Sequence, residues 1–200
     1  MKKLFFIVLV AITTVTNAQN AIPKFATDIA PLLIGEKIPN IILKTSENTD
    51  VQIADLLKKK KTVLVIYRGG WCPYCNLHLQ ALAEAEKEIL DLGYQIIAVS
   101  PDAPANLKIT EEKDKVKYTL LSDSKGEFIK AVGVAFAAPE NYKSTINVHS
   151  NGVNTSLLPV PSVFVVNPES DILFEYISPD FKQRITTELL VSVLKTFQLK

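Results

Sequence analysis

The chain contains little cysteine: Cys72 and Cys75 are the only two among its 200 residues. A single pair so close in sequence is a poor basis for a disulfide scaffold, because a short loop constrains the unfolded chain less than a long one. Two residues between the thiols nevertheless allow the sulfurs to meet with little strain. The pair is therefore typical of a redox site.

The sequence also lacks a dominant charge, an internal repeat and any low-complexity segment. Its 22 Lys and Arg nearly balance 21 Asp and Glu, and no basic patch indicates nucleic acid or a membrane surface as a partner. The one concentrated run, lysine at 58–61, is interpreted as a solvated face before a strand. With 48% hydrophobic residues, the chain can build one globular domain, which we place at 33–200.

Residues 1–18 are expected to be a secretory signal peptide that precedes this domain. Lys2 and Lys3 begin it, an apolar run follows at 4–12, and small residues precede Gln19. The run is short for a membrane span and no cysteine follows it, so neither a membrane anchor after cleavage nor lipid attachment is expected. The mature protein should be periplasmic or extracellular, where a dithiol oxidises unless a dedicated reductant maintains it.

The segment around the cysteines predicts how they react. Residues 62–67 are almost entirely apolar and β-branched, which indicates a strand buried on both faces, and two glycines then form a turn. Pro73 fits the first turn of a helix and so places Cys72 at the helix N-terminus. Unpaired N–H groups and the helix dipole favour the reactive thiolate at that position.

These features predict Cys72 as the nucleophile and Cys75 as its resolving partner. Arg68 is the third predicted catalytic residue, because it adds a permanent positive charge a few residues before the thiols. Trp71 and Tyr74 flank the cysteines and are candidate substrate-binding residues, Trp71 chiefly as a shield beside the thiol.

Strands alternate with helices along the chain, which predicts an α/β layered domain. A long helix is expected from Pro73 to Gly93, and residues 137–158 are interpreted as an irregular insertion with one helical turn near Tyr142. The expected strands are at 62–67, 94–100, 118–121, 163–166 and 172–177. A terminal helix from Ser178 would bury a stripe formed by Phe181, Ile185, Leu189, Val193 and Phe197.

The run Y-R-G-G-W-C-P-Y-C at 67–75 resembles the peroxiredoxin-like branch of the alkyl hydroperoxide reductase/thiol-specific antioxidant family, in the thioredoxin superfamily. Similar runs recur in order through about 33–197. The resemblance implies a thioredoxin-like fold, with a central mixed β-sheet flanked by helices and an N-terminal peroxiredoxin-type extension. We expect no cofactor and no bound metal.

The resemblance also assigns Pro161 to the proline that lies against the cysteine pair in thioredoxin folds. It implies a cis bond between Val160 and Pro161, which would leave the Val160 backbone free to pair with a substrate chain. Both residues are therefore candidate substrate-binding residues. In the alternative interpretation, Pro159 and Pro161 merely end a loop.

The sequence departs from the pattern of true peroxiredoxins and from that of thioredoxins. Gly69 stands where true peroxiredoxins hold a threonine that orients the peroxide, and Pro161 aligns with their strand arginine, so Arg68 is the nearby cation left to substitute. Ile66 stands where thioredoxins keep a buried aspartate. The substrate is thus predicted to be a peroxide or a protein disulfide, and the extent of the resemblance favours the peroxide.

In either reaction the predicted cycle is the same. Cys72 would form a sulfenic acid or a mixed disulfide, and Cys75 would resolve it to an internal disulfide. A thiol reductant such as a thioredoxin-like protein would then restore the thiols.

Three further residues leave alternatives open. His78 could complete a Cys-Cys-His metal site in a binding protein without turnover, although a histidine on the helix surface is the commoner case. His149 is expected to be exposed. Arg184 either folds back toward the active site or forms a surface ion pair.

Overall fold

The computed structural model describes residues 21–198, so the signal peptide expected at 1–18 lies outside the described residues. The elements, in chain order, are β1 (Ile42–Lys44), β2 (Asp50–Gln52), α1 (Ile53–Leu57), β3 (Lys61–Ile66), α2 (Pro73–Asp91), β4 (Tyr94–Ser100), α3 (Pro104–Asp114), β5 (Thr119–Ser122), α4 (Glu127–Ala131), β6 (Ala135–Ala137), α5 (Glu140–His149), β7 (Leu157–Pro159), β8 (Ser162–Val166), β9 (Ile172–Ile177) and α6 (Thr187–Thr196). Among these helices, none combines the length and apolar character needed to cross a membrane.

One mixed sheet of seven strands, in the order β2-β1-β5-β4-β3-β8-β9, runs through the described part of the chain. Strand β3 is parallel to β4 on one side and antiparallel to β8 on the other. β5 is parallel to β4, whereas the β1–β2 hairpin and β9 join the sheet antiparallel. The predicted α/β fold with a central mixed sheet is confirmed, and the β1–β2 hairpin forms the N-terminal extension at one edge.

The apolar residues of β3 alternate between two layers of core. Val63 and Val65 pack in the layer that contains α2 and α6, whereas Leu64 and Ile66 face the opposite layer, which contains Phe128 of α4. Each fully buried aliphatic side chain contributes about 1.5–3 kcal/mol relative to an exposed one. This burial on both faces fixes the end of β3, from which the loop to α2 begins.

The five strands predicted from apolar runs are confirmed to within one residue at each end. The face predicted for α2 is confirmed as well, because Cys75, Leu79, Leu82 and Ile89 are all buried. Long apolar runs and a nineteen-residue helix are the strongest patterns in the sequence, so their positions follow from it directly.

The interpretation of 137–158 as an irregular insertion is wrong. Residues Glu140–His149 form a regular helix, α5, with Ile146 as its buried residue. One face of this helix lies at the active site, where Tyr142 stacks on Trp71 with ring centroids 5.7 Å apart. A helix with only one buried residue does not show the repeating apolar positions by which a sequence reveals a helix.

The terminal helix begins later than predicted. α6 starts at Thr187, and the Thr186 side chain caps it by accepting a hydrogen bond from the Leu189 backbone N–H at 3.3 Å. Its buried residues are Leu190, Val191 and Leu194, whereas Leu189 of the predicted stripe is 50% exposed. The predicted stripe was counted in steps of four residues from Phe181. Phe181 precedes the helix, so this count does not match the helical positions from Thr187 onward.

The segment before β1 holds only a single 3-10 turn, Ala26–Asp28, in place of the longer helix that its composition allows. Backbone hydrogen bonds nevertheless fix it to the domain: the Ala137 N–H donates to the Pro23 carbonyl at 2.8 Å, and the Leu32 N–H donates to the Val132 carbonyl at 3.1 Å.

Candidate active site

The loop between β3 and α2 places both sulfurs at the start of a helix. Cys72 has extended backbone angles (φ −90°, ψ 115°) and occupies the N-cap of α2, and Pro73 follows in the first turn. The Cys72 carbonyl oxygen accepts hydrogen bonds from the backbone N–H groups of Cys75 and Asn76, at 3.0 and 3.1 Å. The Cys72 residue is only 1% exposed.

Arg68 lies directly beside the Cys72 sulfur. It is 3% exposed, and its Nη1 is 4.0 Å from the Cys72 Sγ. Its guanidinium carbon lies 4.4 Å from the ring centre of Tyr142, 4.3 Å from that of Phe181 and 5.1 Å from that of Trp71. Aromatic faces stabilise a desolvated cation, so the positive charge is held next to the thiol in a site with little water.

The two thiols have opposite acidities. The pKa of Cys72 is lowered to about 6, and the largest cause is a hydrogen bond from the Cys75 thiol. The Cys75 backbone N–H and the charges of Arg68 and Arg184 also lower this pKa, whereas burial opposes the decrease. Burial is the largest effect on Cys75; it and the adjacent Cys72 raise the pKa of Cys75 well above its usual range. At neutral pH Cys72 is therefore a thiolate, which is the state that a nucleophile needs, whereas Cys75 is a protonated thiol that must ionise before it can attack.

A second arginine lies at the other sulfur. Arg184 is positioned by the segment that follows β9, and its Nη2 is 3.4 Å from the Cys75 Sγ. Of the two alternatives that the sequence left open for Arg184, the structure shows the one in which it folds back to the active site.

The cis bond expected between Val160 and Pro161 is not formed: no peptide bond among residues 21–198 is cis. The Val160 backbone is also occupied, because its N–H donates to the Val134 carbonyl at 2.8 Å and its carbonyl accepts from the Ser162 hydroxyl at 2.8 Å. These bonds continue the pairing of β6 with β7, so the backbone at Val160 serves the fold rather than a substrate chain.

Val160 and Pro161 instead line a largely apolar cavity of about 260 Å³ whose walls include Arg68, Tyr142 and Phe181. Tyr74 lies nearer the surface, 38% exposed, with its ring edge on Phe181 at 5.7 Å. Of the predicted site residues, Cys72, Cys75, Arg68 and Trp71 are clustered, Val160 and Pro161 adjoin Arg68 through the cavity, and Tyr74 borders the cluster.

Both histidines are placed differently from expectation. His78 is buried rather than on the helix surface, and burial, with the Arg184 charge, lowers its pKa to about 4. His149 is half-buried at the end of α5, with its Nδ1 3.9 Å from the Asp102 Oδ1. No three His, Cys, Asp or Glu side chains of residues 21–198 are grouped so as to hold a metal ion, which leaves the Cys-Cys-His reading without geometric support.

Asp102 is the site residue that sequence reasoning missed. It is buried, its Oδ2 accepts the Gly70 backbone N–H at 2.7 Å, and burial is the main reason that its pKa is raised to about 7. The available signal was topological: Asp102 follows β4, and the carboxyl ends of parallel neighbours such as β3 and β4 meet at one edge of the sheet.

Gly69 is required by this loop. Its φ is +141°, and a Cβ at this position would collide with the Trp71 indole nitrogen and lie 2.7 Å from the Asp102 Oδ1. The loop thus has no room for a threonine at position 69.

A central mixed sheet with a Cys-x-x-Cys pair at the N-terminus of the helix after β3 defines a thioredoxin-fold protein with a dithiol site. The AhpC/TSA family profile matches residues 34–174. The chain belongs to the AhpC/TSA family and is a peroxiredoxin-like member of the thioredoxin superfamily.

Relatives of two kinds are similar in sequence. "Putative peroxiredoxin bcp" of Haemophilus influenzae is 30% identical over 104 residues, which are 52% of this chain and 66% of that protein. Thiol-disulfide oxidoreductase ResA of Bacillus thuringiensis is 22% identical over 153 residues, 76% of this chain and 74% of that protein. The chain spans just under two thirds of the length of the Haemophilus protein, and 51% of a peroxiredoxin from Schizosaccharomyces pombe.

The fold has counterparts among solved structures. The crystal structure of reduced Prx3 from Vibrio vulnificus in complex with hydrogen peroxide superposes with a TM-score of 0.70 at 17% identity, over 82% of this chain and 99% of that one. This similarity establishes the fold.

Proposed function

We propose that the chain is an exported thiol-dependent oxidoreductase that reduces peroxides through a cycle of Cys72 and Cys75. The observation that carries the proposal is the Cys72 sulfur, which lies at a helix N-terminus with the Arg68 guanidinium 4.0 Å away and a pKa lowered to about 6. Such a thiol is ionised at neutral pH and reacts without a separate base.

In the proposed cycle, the Cys72 thiolate attacks one peroxide oxygen and breaks the O–O bond. Cys72 becomes a sulfenic acid, and the other oxygen leaves, after protonation, as water or an alcohol. Cys75 then attacks the Cys72 sulfur and displaces the hydroxyl as water, which leaves a disulfide. A thiol reductant, which we propose to be a thioredoxin-like protein, supplies two electrons and restores both thiols.

Burial favours a peroxide over a protein disulfide as the oxidant. Cys72 is 1% exposed, and the cavity of about 260 Å³ beside Arg68 has room for a small molecule but not for a folded partner. The similarity to proteins named as peroxiredoxins supports the same choice.

Thiol–disulfide exchange is the second candidate, and two observations favour it. The loop excludes a peroxide-orienting threonine at position 69, and the similarity to a thiol-disulfide oxidoreductase extends over 76% of this chain. In that reaction Cys72 would attack a disulfide sulfur, and Cys75 would release the mixed disulfide.

A parallel measurement separates the two reactions. Reduced protein is mixed with hydrogen peroxide or with a small disulfide, and formation of the Cys72–Cys75 disulfide is timed by mass spectrometry. A faster reaction with peroxide supports the peroxidase, and a faster reaction with the disulfide supports exchange. Cys72→Ser should abolish both reactions, whereas Cys75→Ser should accumulate the sulfenic acid or the mixed disulfide. A Cys72→Ser protein that reacts like the wild type would refute both candidates.

Export is the remaining part of the proposal, and it is supported by the basic start and apolar run of residues 1–18. The full chain, expressed in a bacterial host, should be recovered from the periplasm with a mass that corresponds to loss of these residues. Val8→Arg, which interrupts the apolar run, should keep the uncleaved chain in the cytoplasm. Cytoplasmic retention of the wild-type chain would contradict export.

A further inference from the structure

The guanidinium of Arg184 is held in place on one side and faces a sulfur on the other. Its Nη1 donates to the backbone carbonyls of Phe181 and Gln183, the latter at 2.7 Å. Its Nη2 is 3.4 Å from the Cys75 Sγ. These two hydrogen bonds fix the guanidinium and direct its Nη2 at the sulfur. Little side-chain entropy is therefore lost when Nη2 binds the Cys75 sulfur.

No carboxylate neutralises this cation within the described residues, because none of their ion pairs includes Arg184. Its charge acts on the buried groups around it: it opposes the rise in the pKa of Cys75, contributes to the lowered pKa of His78 and is the smallest of the effects that lower the pKa of Cys72. A half-buried, unpaired cation directed at a thiol is expensive to maintain for packing alone.

We propose that Arg184 is a catalytic residue of the resolving step, where its guanidinium stabilises the Cys75 thiolate as this sulfur attacks Cys72. Arg68 serves the first step at Cys72, and Arg184 serves the second at Cys75. This assignment rests on the Cys72/Cys75 cycle proposed above.

The resolving step creates a need for such a cation. In the reduced protein, burial and the Cys72 thiolate both oppose ionisation of Cys75. Once Cys72 is a sulfenic acid or part of a mixed disulfide, its negative charge is gone, but the Cys75 thiol is still buried and must lose its proton. The position of the buried thioredoxin aspartate is occupied by Ile66, and His78 has its pKa lowered to about 4, which leaves it a weak base.

The chemistry of the step balances without another reactant. The Cys75 thiol gives up its proton, and its sulfur forms a bond to the Cys72 sulfur as the S–O bond of the sulfenic acid breaks. The departing hydroxide takes up one proton and leaves as water. The Cys75 sulfur is oxidised and the Cys72 sulfur is reduced to the disulfide level.

Trp71 makes the step measurable, because it is the only tryptophan of the chain and packs beside Arg68. Stopped-flow fluorescence after addition of hydrogen peroxide should show oxidation of Cys72 and then formation of the disulfide. Arg184→Gln removes the charge and keeps a polar side chain at this position. We expect the second phase to slow about tenfold at pH 7 and its pH midpoint to rise, with the first phase changed less than about threefold.

Two variants separate catalysis from structure. Lys182→Gln removes an exposed positive charge two residues away, whose amine lies 5.9 Å from the Phe181 ring centre, and should leave both phases unchanged. Arg184→Lys retains a positive charge and should recover part of the second-phase rate. A second phase in Arg184→Gln with the wild-type rate and pH dependence would overturn the inference.

The same series with a chromogenic aryl disulfide distinguishes this inference from the proposed function. That reagent forms a mixed disulfide on Cys72, and Cys75 then releases the second aryl thiol. If peroxide fails to oxidise Cys72 while the aryl disulfide reacts, the peroxidase proposal fails. The role of Arg184 is then still tested by the rate at which Cys75 releases the second aryl thiol. If neither reagent gives a second phase that depends on Cys75 in the wild type, both proposals fall.

Discussion

At the scale of single residues, the site divides two sulfurs between two arginines. Arg68 and Arg184 each approach a different thiol, at 4.0 and 3.4 Å. Arg68 follows the end of β3 and is only four residues before Cys72, so its proximity to the thiol could be predicted from the sequence. Arg184 is separated from Cys75 by 109 residues, and its contact depends on where the segment after β9 turns, which no local pattern records.

Replacement of Arg68 should change the acidity of Cys72. In Arg68→Gln the pKa of Cys72 should rise from about 6 toward its ordinary value, by about one unit, because a charge close to the thiolate is lost. The pH at which reactivity is lost on acidification should rise by the same amount, as followed by the ultraviolet absorbance of the thiolate. Arg68→Lys keeps the charge and serves as the control for lost packing. An unchanged titration of Cys72 would show that the hydrogen bonds from Cys75 and the Arg184 charge lower its pKa without help from Arg68.

Asp102 should make stability depend on pH. Its pKa is raised from 3.8 in the unfolded chain to about 7 in the folded protein, mainly by burial, while the Gly70 N–H and the Lys113 charge oppose the rise. The folded state therefore binds more protons than the unfolded state, and the contribution of Asp102 to stability is lost as pH rises from about 4 to about 7.

Asp102→Asn should remove this dependence. The amide oxygen can still accept the Gly70 N–H, and the amide N–H₂ can donate to the Nδ1 of His149, which has no hydrogen-bond partner in the part of the chain that is described. Urea unfolding at a series of pH values measures this effect. The free energy of unfolding of the variant, relative to that of the wild type, should increase from pH 4 to pH 7 by at most roughly 4 kcal/mol. Parallel curves would indicate that Asp102 titrates normally.

At the scale of elements, the sequence was most informative where burial is continuous. β3 and β4 have buried residues on both faces, and α2 carries a complete apolar stripe, so all three were predicted at the correct places. α5 could not be predicted in this way because Ile146 is its only buried residue, and its other contacts with the site are made by Tyr142 and His149 on Trp71. The phase of α6 was wrong because the chain changes direction between Phe181 and the cap at Thr186.

The phase of α6 can be tested by a matched pair of neighbouring leucines. Leu190 is fully buried against the sheet layer, whereas Leu189 is half exposed. Leu190→Ala should lower the free energy of unfolding by about 2–5 kcal/mol, and Leu189→Ala by less than about 1 kcal/mol, since only the former leaves a cavity. Urea unfolding of both variants measures the difference, and equal losses would contradict the burial described for this helix.

At the scale of the whole molecule, the site is assembled from segments far apart in sequence. The loop after β3 supplies the thiols and Arg68, the end of β4 supplies Asp102, α5 supplies Tyr142, and the segment after β9 supplies Arg184. The dithiol and its helix position could be predicted from one short stretch of sequence. Asp102, Tyr142 and Arg184 could not be predicted, because they meet the dithiol only through the complete sheet.

The stability of the sheet should decrease from its centre toward the hairpin edge. β3 is paired on both sides and buried on both faces, whereas β2 is an edge strand of three largely exposed residues. Amide hydrogen exchange should therefore be slowest in Lys61–Ile66 and Tyr94–Ser100 and fastest among the strands in Asp50–Gln52. Equal protection in β2 and β3 would show that the extension is as firmly held as the core.

In the proposed cycle, the enclosure of the Cys72 sulfur would limit how fast a protein reductant can restore the two thiols. The sulfur is buried, and the rings of Tyr142 and Phe181 hold Arg68 beside it, so a folded reductant cannot reach that atom in this conformation. In that cycle, the first turn of α2 would have to open before the thiol of another protein could attack the disulfide. Turnover would then follow how often this turn opens rather than how fast sulfur chemistry proceeds.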